Sequence, residues 1–118
     1  MPYHSTPLDL AFYALSDPTR RAVLSRLAEG EVSVSTLADP FDMALPSFAQ
    51  HLKVLEDCGL IVSEKRGRSR WCKLVQARFD EAADWMDAER RRWAERFDQL
   101  EVYLDKMKED DEGNGKPV

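Results

Sequence analysis

Pro46 and Gly59 bracket a segment with room for one short helix. Proline is tolerated in a first helical turn but not in a helix interior, and glycine is a common stop. Between them Phe48, Leu52 and Leu55 recur at spacings of four and three, the buried stripe of an amphipathic helix. Ser47, Gln50, His51 and Lys53 lie off that stripe, so the helix 46–57 turns a polar face outward. Two strand-like runs follow, Leu60-Ile61-Val62 and Trp71-Cys72-Lys73-Leu74. Between them lies Lys65-Arg66-Gly67-Arg68-Ser69-Arg70, four basic side chains in six residues. Paired helices alone are common, and a basic turn alone is often solvated surface. Side by side they outline a helix that can enter a DNA major groove and a wing that can grip the flanking backbone.

The rest of the chain supplies a frame for that unit. Residues 1–7 hold two prolines and read as a flexible N-terminal arm. Leu8 to Leu15 suits a short apolar helix, and Ser16-Asp17-Pro18-Thr19 reads as the cap of the next one. There Ala22, Val23, Leu24, Leu27 and Ala28 are expected inward, with Arg20, Arg21 and Arg26 toward water. Gly30 stops it. Val34, Leu37 and Ala38 suit a short helix ending at Asp39-Pro40, because a residue before proline avoids the helical region.

From Ala77 to Lys108 the pattern becomes one long helix. Phe79, Ala83, Met86, Arg90, Trp93, Phe97, Leu100, Leu104 and Met107 alternate by four and three, a heptad-like seam with Arg90 as its only polar member. Some thirty residues of helix span about 45 Å, too long to bury against a small domain, so the seam is expected to pair with a second copy. Residues 109–118, EDDEGNGKPV, read as a disordered acidic tail. The expected fold is mainly α with a small β-hairpin: about five helices, a single winged helix-turn-helix domain over 8–108, and a long C-terminal dimerisation helix.

The net charge of −5 on 118 residues would seem to repel a polyanion, but its distribution matters more. Leu45 to Lys73 carries six basic and three acidic residues, a net +3, which leaves −8 on the remainder. No apolar run approaches the roughly 20 residues that span a bilayer, so no membrane partner is expected. The start MPYHSTPLDL lacks a signal-peptide pattern, which makes the cytoplasm the expected location.

The runs ALSDPTRRAVLSRL (14–27) and STLADPFDMALPSFAQHLKVLEDCGLI (35–61), followed by the basic hairpin, resemble the arsenic-repressor (ArsR/SmtB) family of bacterial regulators. The resemblance covers roughly residues 8–108. It implies a homodimeric winged-helix repressor that releases double-stranded operator DNA when an effector, small-molecule or redox and unidentified here, is sensed. It further implies that Ser47, Gln50 and His51 face base edges, with Lys53 nearer phosphate and Arg66, Arg68 and Arg70 on the wing. Arg20 and Arg21 are either added backbone contacts or solvated surface, and His51 has a second reading as a brace for its own helix. The family's dimer interface uses the first and last helices, which here places Phe12, Met86, Trp93, Phe97, Leu100 and Leu104 at the contact. One departure stands out: Ala44 occupies a position where the family commonly has a capping serine.

The family's metal ligands are missing from the pattern. Ser35 to Met43 contains no cysteine, and no histidine follows His51. His4, His51, Cys58 and Cys72 fall on different elements without metal-ligand spacing, so neither a metal nor a cofactor is expected. Cys58 and Cys72 are the candidates for a thiol sensor, because the basic hairpin beside Cys72 could depress its pKa, with buried inert thiols as the alternative. Trp71, Trp85, Trp93, Phe79, Phe97 and Tyr103 are either plain core or the lining of a ligand cavity. No phosphate loop, HExxH or catalytic Ser/His/Asp set occurs, so no enzyme is expected. The function in competition with DNA reading is a dimeric protein-interaction module built on the long helix and acidic tail.

Overall fold

The computed structural model describes residues 6–115, and side chains through residue 111. The elements run α1 (Pro7–Leu15), α2 (Pro18–Leu27), β1 (Val32–Ser33), α3 (Val34–Ala38), α4 (Leu45–Asp57), β2 (Ile61–Arg66), β3 (Ser69–Leu74) and α5 (Gln76–Gly115). The chain divides into two compact units, one through Ala82 and one from Ala83 onward.

Three of the first four helices start on a side-chain cap. Thr6 accepts from the Asp9 amide at 3.1 Å while its own amide donates to Asp9 at 3.4 Å, a reciprocal capping box. Asp17 caps α2 through the Arg20 amide at 3.0 Å, and Ser33 caps α3 through the Thr36 amide at 3.3 Å. Helix α4 begins at Ala44 with no side-chain cap. Thr6 and Pro7, expected in the flexible arm 1–7, thus open α1, because a cap followed by proline fixes a helix start. Residues 1–5 of that arm lie outside the described residues.

The sheet has three antiparallel strands in the order β1-β3-β2. The two-residue strand β1 pairs Val32 with Cys72 and Ser33 with Trp71, an addition to the expected hairpin. Pairing of β2 with β3 runs from Ile61–Leu74 out to Arg66–Ser69. Most of the basic run is therefore strand, and only Gly67 and Arg68 turn. Gly67 has φ 62°, the left-handed conformation a two-residue hairpin needs at its first central position.

The core of this unit gathers Val23, Leu24 and Leu27 of α2, Leu37 of α3, Phe48, Leu52 and Leu55 of α4, and Leu60 and Ile61. Each such side chain taken from water stabilises the fold by about 1.5–3 kcal/mol. Ala22 and Ala28, expected inward, are exposed. Arg20, expected toward water, is only 8% exposed.

The second unit is the distal part of α5. The helix continues through Gly115, although the sequence predicts a disordered tail over 109–118. Adding residues to an established helix costs far less than nucleating one, and Glu109 to Glu112 contain neither glycine nor proline to stop it. Residues 116–118 lie outside the described residues. At 40 residues, α5 is about 60 Å long.

Candidate nucleic-acid interface

Helix α4 is seated by Phe48, Leu52 and Leu55, and the rings of Phe41 and Phe48 pack 5.1 Å apart beside its first turn. Leu45, Pro46, Ser47, Ala49, Gln50 and Lys53 are left exposed on the other side. Lys53 lies 3.6 Å from Asp57, one turn on, with both groups well solvated. His51 differs from its neighbours. Its ring is partly buried, with Nδ1 3.6 Å from Asp17 Oδ2 and 3.4 Å from Arg20 Nη1. Ser47 and Gln50 thus stand outward together, while His51 is turned toward the start of α2.

The side chain that organises this corner is Arg20. Its Nε donates to the Ala14 carbonyl at 2.8 Å and its Nη2 to the Tyr13 carbonyl at 3.1 Å. The guanidinium also lies 5.4 Å from the Tyr13 ring centroid. Those carbonyls belong to the last turn of α1, where the helix leaves its carbonyls short of partners; Tyr13 also accepts from the Ser16 amide at 3.1 Å and the Ser16 hydroxyl at 2.6 Å. Arg21 does the same for Leu15, donating at 2.7 Å. Both arginines therefore brace the α1–α2 corner; for Arg20 this replaces the reading as solvated surface or a DNA-backbone contact. Desolvation would raise the pKa of Asp17, but the Arg20 amide, His51 and the Arg20 guanidinium outweigh it. The carboxyl is held below its usual value.

On the wing the basic side chains fall into two groups. Arg66 forms a bidentate pair with Glu31 at 3.0 and 3.0 Å and reaches Glu64 at 3.3 Å. It also lies 5.1 Å from the Trp71 ring centroid. Hydrogen bonding by Arg66 is the main reason the Glu31 carboxyl sits below its usual pKa, and Glu31 in turn keeps Arg66 more firmly protonated. Arg70 donates to Ser63 at 2.8 Å, and Ser63 donates to Glu56 of α4 at 3.0 Å, a chain tying the wing to α4. Arg68 at the turn and Lys65 beside it are exposed and have no ion-pair partner among the described residues. Sequence reasoning missed Glu31, Ser63 and Glu56. The Glu31–Arg66 contact spans 35 positions and leaves no local pattern to find.

This arrangement of helix, turn, helix and wing has known counterparts. Residues 15–64 match a family model described as a helix-turn-helix domain. The transcriptional repressor SdpR of Bacillus subtilis is 31% identical over 75 residues, which cover 64% of this chain and 83% of SdpR. A crystal structure of an ArsR family transcriptional regulator is 48% identical, with a TM-score of 0.71 over 75% of this chain and 97% of that one. The chain belongs to the ArsR family of transcriptional regulators. An ArsR-like regulator from Rhodococcus sp. RHA1 is 30% identical, with a TM-score of 0.69 over 82% of this chain and 92% of that one. Family and fold are those of DNA-binding transcriptional regulators, not of enzymes.

Within this ArsR-family chain both thiols are buried. Cys58 and Cys72 both lie in the core, 2% and 1% exposed. Burial pushes each thiol pKa up; Asp57 adds to it at Cys58 and Glu56 at Cys72, against opposing effects from Arg20 and Arg70. The expected help from the basic hairpin reaches Cys72 only through Arg70 and is outweighed, which favours the alternative of buried inert thiols. Among the described residues no three His, Cys, Asp or Glu side chains gather closely enough to hold a metal ion. No described helix is long and apolar enough to cross a membrane.

The seam residues of the distal α5 unit are uncovered. Met86, Trp93, Phe97, Leu100, Leu104 and Met107 are all exposed, Trp93 at 55% and Phe97 at 61%, with their rings 6.0 Å apart. Trp85 and Tyr103 are exposed as well, so these aromatics are not plain core. Trp71 lies under Arg66, Phe79 packs against the first unit's core, and Phe12 on α1 is partly buried.

Proposed function

We propose that the chain is a homodimeric, sequence-specific repressor of transcription. Helix α4 enters the major groove with Ser47 and Gln50 toward base edges and Lys53 toward phosphate. The observation that carries this reading is the exposed polar face of α4 together with a wing whose cations Lys65 and Arg68 are exposed and have no ion-pair partner among the described residues. Gln can pair bidentately with adenine, and Ser accepts several bases. Arg70 shares Lys65's face of the hairpin whereas Arg66 projects from the other, toward Glu31, and each would have to exchange a hydroxyl or carboxylate partner for phosphate. His51 supports the bracing role better than base contact.

The exposed α5 seam supports the dimer, because an apolar stripe of this length is costly to leave in water. A two-fold pair of recognition helices would meet successive major grooves about 34 Å apart. The test is titration of a labelled operator duplex at several salt concentrations, with sedimentation of the free protein alongside. Tight binding that weakens steeply with salt, by a protein that sediments as a dimer, is the expected result. Binding that stays weak at low salt, or is indifferent to salt, would sink the DNA-reader function.

The same seam also supports the competing function as a protein-interaction module. In that case Arg66→Ala/Arg68→Ala/Arg70→Ala would leave function intact.

A further inference from the structure

We propose that Leu45 is a specificity-determining residue that packs on the C5-methyl group of a thymine in the major groove, beside the bases addressed by Ser47 and Gln50. The inference rests on the DNA-reading function argued above and adds a named base to it.

Among the described residues of the first unit, only Leu45 and Val62 are large apolar side chains with most of their surface in water, at 66% and 52%. Val62 is on β2, paired with Lys73 within the sheet. Leu45 is the first residue of α4, and the N-terminal residues of a recognition helix are those that reach base edges. Its preceding neighbour Ala44 is extended, with φ −65° and ψ 145°, so no earlier helical turn lies over it. Leu45, Ala49 and Lys53 follow at spacings of four and form one exposed ridge: an apolar tip, a small middle and a cationic end. The adjacent ridge carries Pro46 and Gln50, also exposed. An apolar tip is thus set into a surface whose remaining members suit a polyanion.

The chemistry of the groove narrows the occupant to one group. Thymine alone presents a methyl group there, whereas guanine and adenine offer donors and acceptors and cytosine a donor beside a bare C5–H. Leucine has neither donor nor acceptor, so facing any other base edge it would displace water from a polar atom without replacing the hydrogen bond. Contact with thymine is favourable, and contact with the other bases is penalised. The side chain therefore both attracts and rejects.

The experiment uses the full chain. Its preferred duplex is first obtained by selection from random DNA. Each thymine of the selected site is then replaced in turn by deoxyuridine, which removes only the methyl group, and Kd is read by fluorescence anisotropy at fixed salt. One thymine in each half-site should show a loss of about fourfold per methyl, the value expected for one buried methyl group. Leu45→Ala should bind the thymine and deoxyuridine duplexes equally, whereas Leu45→Met should keep the discrimination. Equal binding of both duplexes by the wild-type chain at every position would overturn the role of Leu45. So would a Leu45→Ala variant that discriminates as the wild type does. Either failure, accompanied by salt-sensitive wild-type binding, leaves the DNA-reading function standing. Failure of the wild-type chain to select any duplex overturns both.

Discussion

Helices α2 and α4 both open with a proline in the first turn, yet their starts are built in opposite ways. At α2, Asp17 caps the helix, and buried Arg20 reaches back to the carbonyls of Ala14 and Tyr13. Both side chains are tied to the protein itself. At α4, Ala44 offers no cap, and Leu45, Pro46 and Ser47 face water. The first is a joint that fixes the angle between α1 and α2. The second is an open end whose backbone N–H groups and side chains are available to a ligand. Stability is concentrated where the scaffold needs it and withheld where recognition would occur, the usual trade between the two.

That contrast can be broken most directly at Arg20. Arg20→Ala removes a buried donor from two helix-terminal carbonyls and should destabilise the fold by about 3 kcal/mol. Calorimetric melting would show it, and a loss well below about 1 kcal/mol would mean the joint is not held by this side chain. A smaller effect of opposite sign is expected at α4. Ala44→Ser supplies the missing cap and should stabilise by about 1 kcal/mol in urea melts; no gain would mean that the open end is already satisfied by water. The smallest effect concerns the charge on Asp17. Its folded pKa is depressed, so the stability it contributes is present above the unfolded value and lost as pH falls through the folded one. Asp17→Asn keeps the cap but not the charge, so its urea midpoint should fall less than the wild type's below about pH 4. Parallel curves would remove the charge from the account of this joint.

The elements with a period were readable before the fold was known. The ends of α3 and the stripe of α4 followed from Val34, Leu37, Phe48, Leu52 and Leu55, because apolar spacing and proline are local signals. What escaped was non-local or too short to have a period. Arg20 looks like a solvent arginine on its own helix; only the corner between α1 and α2 folds it back onto Ala14. Arg66 looks like a free wing cation until the sheet brings Glu31 to it. Strand β1, with two residues, has no pattern of its own. Glu109 to Gly115 read as a tail because charge was weighed more heavily than the ease of extending a helix already formed. On the candidate site, Ser47, Gln50 and Lys53 are outward as the stripe implied, whereas the pairing of His51 with Asp17 depended on a contact 34 residues distant in sequence.

Cys58 and Cys72 have a use beyond packing. Because both thiols are enclosed by the core of the first unit, an aromatic disulfide reagent can reach them only when that core opens. Their rate of modification therefore times the opening of the native molecule from within, without any added label. Comparing that rate with and without bound duplex would tell whether DNA slows the breathing of the helices that hold it.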